Sequence, residues 1–327
     1  MTVIEENAGI QSLKCKNLRW IMDWLLEKSD AINPEEELHF VALNPDCGRG
    51  NYTGAKLVVD QTECDYHSYQ TWMDLAIMFG FRFLTPERID RTTVLLRYQK
   101  LDEDQSWHRD QNRIEKYQSD ASFSKIRKTE EPCFRMDFSR ALLESGLKKE
   151  WRVLNIGIHR GDEFEIFEDV FSSQVLQSLK FTGIDLNASA IEVARRRFQG
   201  KPNYHFICAD MNDCDHEELG RQDMIISLGT FQSPGIRGKE LIVRLRKEFL
   251  GEEGVIILGF PNSRYIDGEI KFGAKMKNYS EPELSLLIKD LFFYRRYLQQ
   301  QGFYVKITGK YMIFLVAVKL KKGDEQV

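Results

Sequence analysis

A loop with two glycines and a histidine is the first feature of the sequence that suggests chemistry. The stretch VLNIGIHRGDEF, Val153–Phe164, runs from an apolar segment through Gly157 and Gly161 into an acidic helix start. Glycines at such a turn let the backbone approach a ligand closely, because no side chain intervenes. The dinucleotide fingerprint G-x-G-x-x-G needs a glycine where this loop has His159. The loop therefore predicts a bound nucleotide but fails the dinucleotide pattern.

Two aspartates follow later apolar runs of the same region. Asp185 ends the run FTGID, and Asp210 ends the run ICAD. An acid at the first place can accept both hydroxyls of a ribose, and an acid at the second can accept an exocyclic amine. Because an adenosine offers both groups, we expect an adenosine here. The alternative is that both aspartates are turn caps, where acids are common. His159 is likewise either a ligand contact, a catalytic base or a solvated loop side chain.

Strands and helices alternate from Trp151 onward, which indicates a parallel sheet buried on both faces. The first strand is followed by one predicted helix, DEFEIFEDVFSSQVLQSL, and a later helix has Asn187 as its expected N-cap. The last segment, FYVKITGKYMIFLVAVKL, has two strands and no helix between them, so it predicts an antiparallel hairpin. In such a sheet the ligand site lies at the carboxyl ends of the strands. Four aromatic residues of the last helix are expected in the core: Phe292, Phe293, Tyr294 and Tyr297.

The chain before this region has a different character. Residues 1–110 mix amphipathic helices with short strands, so we expect a small N-terminal α+β domain, with substrate recognition as a candidate role. Residues 111–131 are almost wholly polar and are either a lid over the ligand or a plain linker. Residues 132–327 are expected to form the ligand-binding domain.

Charge and cysteine usage argue against several classes of protein. The net charge is −4 over 327 residues, so no broad phosphate-binding surface is predicted and nucleic acid is not a favoured partner. The six cysteines form no CxxC pair, and Cys47, Cys64 and His67 fit no standard zinc spacing, so no metal is expected. We expect free thiols and a cytoplasmic location. The start lacks a signal-peptide pattern, and no apolar run approaches the roughly 20 residues of a membrane span, so no membrane partner is expected.

Four stretches and the final hairpin together resemble a known family. VLNIGIHRG, GIDLN, CADMND and ISLGTF have the order and spacing typical of class I S-adenosylmethionine-dependent methyltransferases. The resemblance implies a doubly wound α/β fold, with a mostly parallel seven-stranded sheet and a C-terminal antiparallel hairpin. It also implies S-adenosylmethionine as the cofactor. This cofactor has no pyrophosphate, so a side chain at His159 is tolerated.

The same resemblance implies a set of cofactor contacts. The glycine loop would approach the methionine part, the second strand end would bind the ribose, the third would bind the adenine, and the fourth would flank the methyl donor and the acceptor. In that order, the candidate cofactor-binding residues are Asn155, Gly157, His159 and Gly161, then Asp185 and Leu186, then Asp210 and Met211, then Leu228 and Gly229. Two of them depart from the family pattern, because Asn155 stands where an acid is usual and His159 where a glycine is usual.

The methyl acceptor is less constrained than the cofactor. Candidate acceptor contacts from the polar segment and the later loops are Tyr117, Thr230, Gln232, Ser233, Asn262 and Tyr265. We assign no catalytic residue, since transfer from a sulfonium needs little beyond alignment of the acceptor. Three functions remain open: a small-molecule methyltransferase, which we favour; an RNA or protein methyltransferase whose N-terminal domain recognises the substrate; and a non-catalytic S-adenosylmethionine-binding protein.

Overall fold

The computed structural model describes residues 10–102, 127–233, 235–266, 269–271 and 285–320. The chain divides into two compact units, Met1–Asp110 with Tyr265–Lys271, and Gln111–Arg264 with Phe272–Val327. The predicted domain boundaries at residues 110 and 131 stay predictions, because residues 103–126 lie outside the described part. The proposed lid or linker, with Tyr117, falls mostly on those residues.

The first unit combines two helices with a small sheet and a hairpin. Its helices are α1 (Leu18–Ala31) and α2 (Tyr69–Met78). Its strands are β1 (Gln11–Ser12), β2 (Glu37–Leu43), β3 (Lys56–Val59), β4 (Thr62–Asp65), β5 (Phe81–Phe83), β6 (Glu87–Arg88) and β7 (Thr93–Lys100). The sheet has the order β1-β2-β7-β5, with β6 also paired to β7, and β3 and β4 form a separate hairpin.

Local capping signals account for where these helices begin. The side chain of Asn17 accepts a hydrogen bond from the N–H of Trp20 at 2.9 Å, and Ser68 caps α2 in the same way. Such caps satisfy backbone donors that have no partner inside the helix. The apolar faces of both helices then enclose a core that includes Ile21, Leu25, Phe40, Trp72, Phe81 and Tyr98.

The prediction that all six cysteines are free thiols is wrong. Cys15 and Cys64 form a disulfide, although 49 positions separate them in the sequence. Cys64 packs in a small buried cluster with Leu43 and Val59, and Cys15 packs against it. The two cysteines meet only through the fold, which is why their spacing gave no signal. The cysteines outside this disulfide are Cys47, Cys133, Cys208 and Cys214.

The second unit contains the alternating strands and helices. Its helices are α3 (Pro132–Glu144), α4 (Asp162–Val170), α5 (Ser173–Ser178), α6 (Ala188–Arg197), α7 (His216–Leu219), α8 (Gly238–Arg244) and α9 (Ser285–Gln300). Its main strands are β8 (Arg152–Ile156), β9 (Lys180–Asp185), β10 (Tyr204–Cys208), β11 (Gln222–Leu228) and β12 (Leu250–Pro261). The strands β15 (Phe303–Gly309) and β16 (Met312–Lys319) end the described chain. A short pair between β12 and α9, β13 (Arg264–Ile266) and β14 (Glu269–Lys271), belongs to the first unit from Tyr265 onward. Single 3-10 turns cover Lys128–Glu130 and Thr230–Gln232, and a π-helical turn covers Leu245–Phe249.

The main sheet has seven strands in the order β10-β9-β8-β11-β12-β16-β15. Its first five strands are mutually parallel, and β16 runs antiparallel to both of its neighbours. The seven-stranded mixed sheet confirms the predicted α/β class. Because the chain order reverses on either side of β8, the crevice that binds ligands in such sheets lies between the loops after β8 and β11.

The central strands place alternate side chains in two apolar layers. In β8, Val153 packs in the layer that contains α3 and α4, whereas Leu154 and Ile156 pack in the layer that contains α8 and α9. Strands covered on both faces are apolar on both faces, as their sequences show. The strand ends are therefore rigid starting points for the loops that follow them.

Two details of the helices differ from the prediction. The segment after β8 forms two helices, α4 and α5, because Phe171 between them is extended, with φ −121° and ψ 146°. Ser172 then occupies the N-cap position of α5. On α9, Tyr294 is buried as expected, but Phe292 is 64% exposed and lies outside the core.

Within the described part of the chain, no helix is both long and apolar enough to span a membrane. Nor do three or more His, Cys, Asp or Glu side chains there form a group that could hold a metal ion. Cys64, one of the residues considered for metal binding, is engaged in the disulfide.

Candidate functional site

The loop after β8 turns at two glycines. Gly157 (φ +77°) and Gly161 (φ +84°) have the left-handed backbone conformation that glycine adopts without strain. The N–H groups of Gly157 and Ile158 both donate to the carbonyl of Ile184, near the end of β9, at 2.7 and 3.1 Å. These bonds tie the loop to the neighbouring strand end.

Side chains packed against the loop also require both glycines. A Cβ built on Gly157 would lie 1.9 Å from Oγ1 of Thr230, and one built on Gly161 would lie 2.7 Å from Cε2 of Phe198. The Thr230 hydroxyl donates to the carbonyl of Ile156 at 3.1 Å, which joins the turn after β11 to the end of β8. Thr230, an acceptor contact by prediction, therefore has a structural role as well.

His159 has the left-handed backbone conformation, φ +49°, at the position where the family pattern has glycine. For a residue with a side chain this conformation costs about 1–2 kcal/mol. The His159 N–H donates to Oδ2 of Asp185 at 2.9 Å, which helps to hold the conformation. Burial lowers the pKa of the His159 imidazole, and the nearby Asp185 opposes that shift. The imidazole is therefore neutral near pH 7.

The carboxylate of Asp185 keeps capacity for further hydrogen bonds. One oxygen accepts the N–H of His159 and the other accepts the N–H of Asn187, both at 2.9 Å. An ionised carboxylate has about four lone-pair sites, so about two remain. The side chain is half-buried, and Leu186 beside it is 72% exposed. Asp185 can thus cap the turn and bind a ligand at the same time.

Asp210 lies in the adjacent turn, after β10. Its Oδ1 accepts the backbone N–H of Asn212 at 2.8 Å and the side-chain amide of the same residue at 2.9 Å. Met211 between them is buried. The N–H of Ala209 donates to the carbonyl of Asp185 at 3.1 Å, so the two aspartate-bearing turns are neighbours.

Several buried polar atoms without hydrogen-bond partners belong to segments at this edge of the sheet. In the described residues there are eleven such side-chain atoms. Both amide atoms of Asn155, which is 0% exposed in β8, are among them. Four more belong to Thr129, Glu163, Gln232 and Asn262, in the segments next to the ends of β8, β11 and β12. Leaving such an atom unpaired costs about 1–3 kcal/mol, so a ligand that pairs with these atoms is expected here.

Lys128 and Glu163 are two charged residues of this crevice that the sequence analysis missed. Nζ of Lys128 lies 4.0 Å from the point where a Cβ on Gly229 would be. Burial lowers the pKa of Lys128, whereas the nearby Glu163 and Glu131 raise it. The sequence gives no signal for either residue, because Lys128 lies within a long polar run and Glu163 resembles an ordinary acid in the first turn of a helix.

Glu163 has the clearest electrostatic signature of the site. Burial raises the pKa of its carboxyl from an ordinary value near 4.5 to about 8, and Asp162 and Asp185 act in the same direction. Its own backbone N–H and Lys128 oppose the shift. The folded chain therefore holds a proton on Glu163 at pH values where the unfolded chain has lost it.

This shift predicts a pH-dependent effect of Glu163→Gln on stability. Because the folded state retains the proton, the free energy of unfolding of the natural chain should fall as the pH rises from about 5 to 8. Glutamine does not titrate, so the variant should gain on the order of 3 kcal/mol relative to the natural chain over this range. Urea denaturation of both proteins at pH 5 and pH 8 measures the difference. A difference that is equal at the two pH values would contradict a buried, protonated Glu163.

The turn after β11 brings Gly229 beside the loop. Leu228 is buried at the end of β11, and Gly229 follows with φ +81° and donates its N–H to the carbonyl of Gly259 at 2.7 Å. The Ser233 hydroxyl contacts the carbonyl of Gly229 at 3.4 Å. Cγ of Pro261, at the end of β12, lies 3.6 Å from the point where a Cβ on Gly229 would be. The structure thus places the ends of β11 and β12 together at the crevice.

The remaining predicted acceptor residues lie in different segments, and not all of them are described. Gln232 is buried in the turn after β11. The Asn262 amide donates to the carbonyl of Lys310 at 3.2 Å, in the turn between β15 and β16. Tyr117 lies outside the described residues, and only the backbone of Tyr265, in β13, is described.

Comparison with known protein families finds a match in the same region of the chain. Residues 153–246 match a family model described as a methyltransferase domain. No curated protein matches the sequence.

Several solved structures are similar to the chain. A S-adenosylmethionine-dependent methyltransferase from Aquifex aeolicus is 17% identical, with 60% of this chain and 98% of that chain covered and a TM-score of 0.43. Precorrin-6y C5,15-methyltransferase from Geobacter metallireducens is 14% identical, with 57% and 88% covered and a TM-score of 0.39. Magnesium protoporphyrin IX methyltransferase from Synechocystis, with bound S-adenosylmethionine, is 16% identical, with 57% and 78% covered and a TM-score of 0.38.

The matched residues contain the parts of the crevice described above. They begin in β8 and include the glycine loop, both aspartate-bearing turns and the turn at Gly229. They also form the parallel part of the seven-stranded sheet up to β11. Residues 153–246 are therefore similar to a methyltransferase domain, which agrees with the resemblance of the glycine loop and strand ends to class I S-adenosylmethionine-dependent methyltransferases.

Proposed function

We propose that the crevice at the carboxyl edge of the main sheet binds S-adenosylmethionine and that its methyl group is transferred to a small molecule held beside Gly229. The observation that carries the proposal is the set of six unpartnered buried polar atoms in the segments around this crevice, to which the half-buried carboxylate of Asp185 also belongs. Polar atoms in such positions are normally paired, so a polar ligand accounts for them.

The residues around the crevice have the chemistry that the cofactor needs. Asp185 would accept the two ribose hydroxyls with its remaining lone pairs, and the exposed Leu186 would cover the nucleoside. Asp210 would accept the exocyclic amine of the adenine, with Met211 against the ring. The amino-acid end would lie against Asn155 and the loop that contains Gly157, His159 and Gly161.

The chemical step needs alignment more than proton transfer. The cofactor supplies a methyl group on a positively charged sulfur, which is already a strong electrophile. The turn at Leu228 and Gly229 would position the acceptor in line with that methyl group, at about 3–3.5 Å. Gln232, Ser233 and Asn262 are the described polar side chains on the acceptor side. We assign no general base, since only an acceptor that must lose a proton needs one.

The charge of the N-terminal unit favours a small acceptor over RNA. Residues 1–110 contain nineteen acidic and twelve basic residues. An acidic unit repels phosphate and is poorly suited to grip RNA. A protein acceptor recognised by this unit, and a chain that binds the cofactor without turnover, remain the alternatives.

Calorimetric titration tests the cofactor proposal. We expect S-adenosylmethionine and S-adenosylhomocysteine to bind and NAD not to bind, because the loop lacks the glycine needed for close approach of a pyrophosphate. Tight binding of NAD without binding of S-adenosylmethionine would overturn the proposal.

A steep decrease of tRNA binding with salt would favour the RNA alternative. Bound cofactor that is never consumed in the presence of cell extract would favour the non-catalytic alternative.

A further inference from the structure

Lys128 and Glu163 are charged residues of the crevice to which the proposed function gives no role. Among the described residues Lys128 makes no ion pair, and Glu163 has a buried carboxyl oxygen without a hydrogen-bond partner. Glu131, the other acid that raises the pKa of Lys128, is already paired with the guanidinium of Arg264. Lys128 and Glu163 are near enough to shift each other's pKa.

The positions of the two residues are well defined by the fold. The turn Lys128–Glu130 packs against both α3 and α4, and Glu163 is the second residue of α4. Nζ of Lys128 lies 4.0 Å from the point where a Cβ on Gly229, in the turn after β11, would be. The cation and the acid therefore belong to one small region between the glycine loop and the turn after β11.

The charges of the cofactor indicate what such a region can bind. S-adenosylmethionine has a positive sulfur, and its amino-acid end has one carboxylate and one ammonium group. A lysine in the same crevice repels the sulfur unless it pairs with the carboxylate, which is the only negative group of the molecule. A buried acid is likewise stabilised in its charged form by an adjacent ammonium group.

We propose that Lys128 binds the carboxylate of the cofactor's amino-acid end and that Glu163 binds its ammonium group. The proposal rests on the proposed function and deepens it, because it explains how the site would distinguish the full cofactor from adenosine derivatives without the amino acid. Both residues act by positioning the cofactor. Glu163 releases its proton to solvent when the ammonium group binds, so the charges in the crevice balance.

Two ligands separate this role from a general effect on the pocket. S-adenosylhomocysteine carries the amino-acid end, whereas 5′-methylthioadenosine has the same adenosine and thioether without it. Calorimetry would compare both ligands on the natural chain, on Lys128→Met and on Glu163→Gln, which have similar size and no charge. Lys128→Arg keeps the charge. Lys148→Met is the control. Lys148 pairs with Glu253 at 3.5 Å, and it precedes the amino end of β8, away from the carboxyl ends of the strands.

We expect each neutral variant to bind S-adenosylhomocysteine roughly 10- to 100-fold more weakly, as for the loss of a charge-assisted hydrogen bond, and to bind 5′-methylthioadenosine as the natural chain does. Lys128→Arg should recover part of the loss, and Lys148→Met should bind both ligands normally. Unchanged affinity for S-adenosylhomocysteine in Lys128→Met, or an equal loss for both ligands, would overturn the inference. Failure of the natural chain to bind either ligand would instead overturn the proposed function.

Discussion

Replacing Asp185 with alanine should weaken the binding of S-adenosylhomocysteine by roughly 2–4 kcal/mol, a loss of about 30- to 1,000-fold. The loss corresponds to two charge-assisted hydrogen bonds from the ribose hydroxyls. The carboxylate can accept them because each of its oxygens is used by only one backbone N–H, from His159 or Asn187. Isothermal titration calorimetry on the natural chain and the variant measures the effect.

A control is needed because the same substitution removes the acceptor of two backbone N–H groups. Asp223 provides it, since its Oδ2 accepts the N–H of Arg152 at 2.8 Å, at the amino end of β8 and so at the opposite edge of the sheet. Asp223→Ala removes a comparable cap but should leave the cofactor affinity unchanged. If Asp185→Ala bound the ligand normally, or if both variants lost affinity equally, Asp185 would be a cap and no ribose ligand.

The features that sequence reasoning predicted well depend on neighbours along the chain. The alternation of strands and helices indicated the mixed seven-stranded sheet, and the terminal strands without an intervening helix indicated the antiparallel edge. The expected N-cap at Asn187 is confirmed, because its side chain accepts the N–H of Ala190 at 3.2 Å. These signals are local, since hydrogen bonds of caps and hairpins join residues that are close in sequence.

The features that sequence reasoning missed depend on contacts between distant segments. The disulfide joins Cys15 to Cys64 across the first unit, which no spacing rule could indicate. Nζ of Lys128 lies close to Gly229, although Lys128 belongs to a polar segment whose sequence does not predict its contacts. The sequence predicts Thr230 as an acceptor contact, yet its hydroxyl donates a hydrogen bond to the carbonyl of Ile156 at the end of β8. Each of these contacts exists only once the sheet is assembled.

The two glycines of the loop are predicted correctly as turn residues, but access for a ligand is only part of the reason why glycine is needed there. Gly157 and Gly161 were expected to admit a ligand, and their positive φ values agree with a sharp turn. The structure adds that neighbouring side chains fill the space where each Cβ would be. The loop glycines therefore contribute to stability as well as to the shape of the site, and the two contributions can be measured separately.

Gly161→Ala should lower the free energy of unfolding by about 2–5 kcal/mol. The left-handed conformation, φ +84°, costs alanine about 1–2 kcal/mol, and overpacking costs about another 1–3 kcal/mol. The overpacking arises because the new Cβ would lie 2.7 Å from the ring of Phe198, which is buried in the core. Urea denaturation followed by circular dichroism measures the change.

Gly200 offers a matched control for this prediction, because its φ is also +84° and no atom lies within 4 Å of a Cβ built on it. Gly200→Ala should therefore show the conformational cost alone, about 1–2 kcal/mol. The difference between the two variants isolates the contact with Phe198. Because that ring packs beneath the loop, the Gly161 variant should also bind S-adenosylhomocysteine more weakly, whereas the Gly200 variant should bind it normally. Equal losses of stability in the two variants would mean that the ring of Phe198 moves aside freely and that its packing contributes little to the position of the loop.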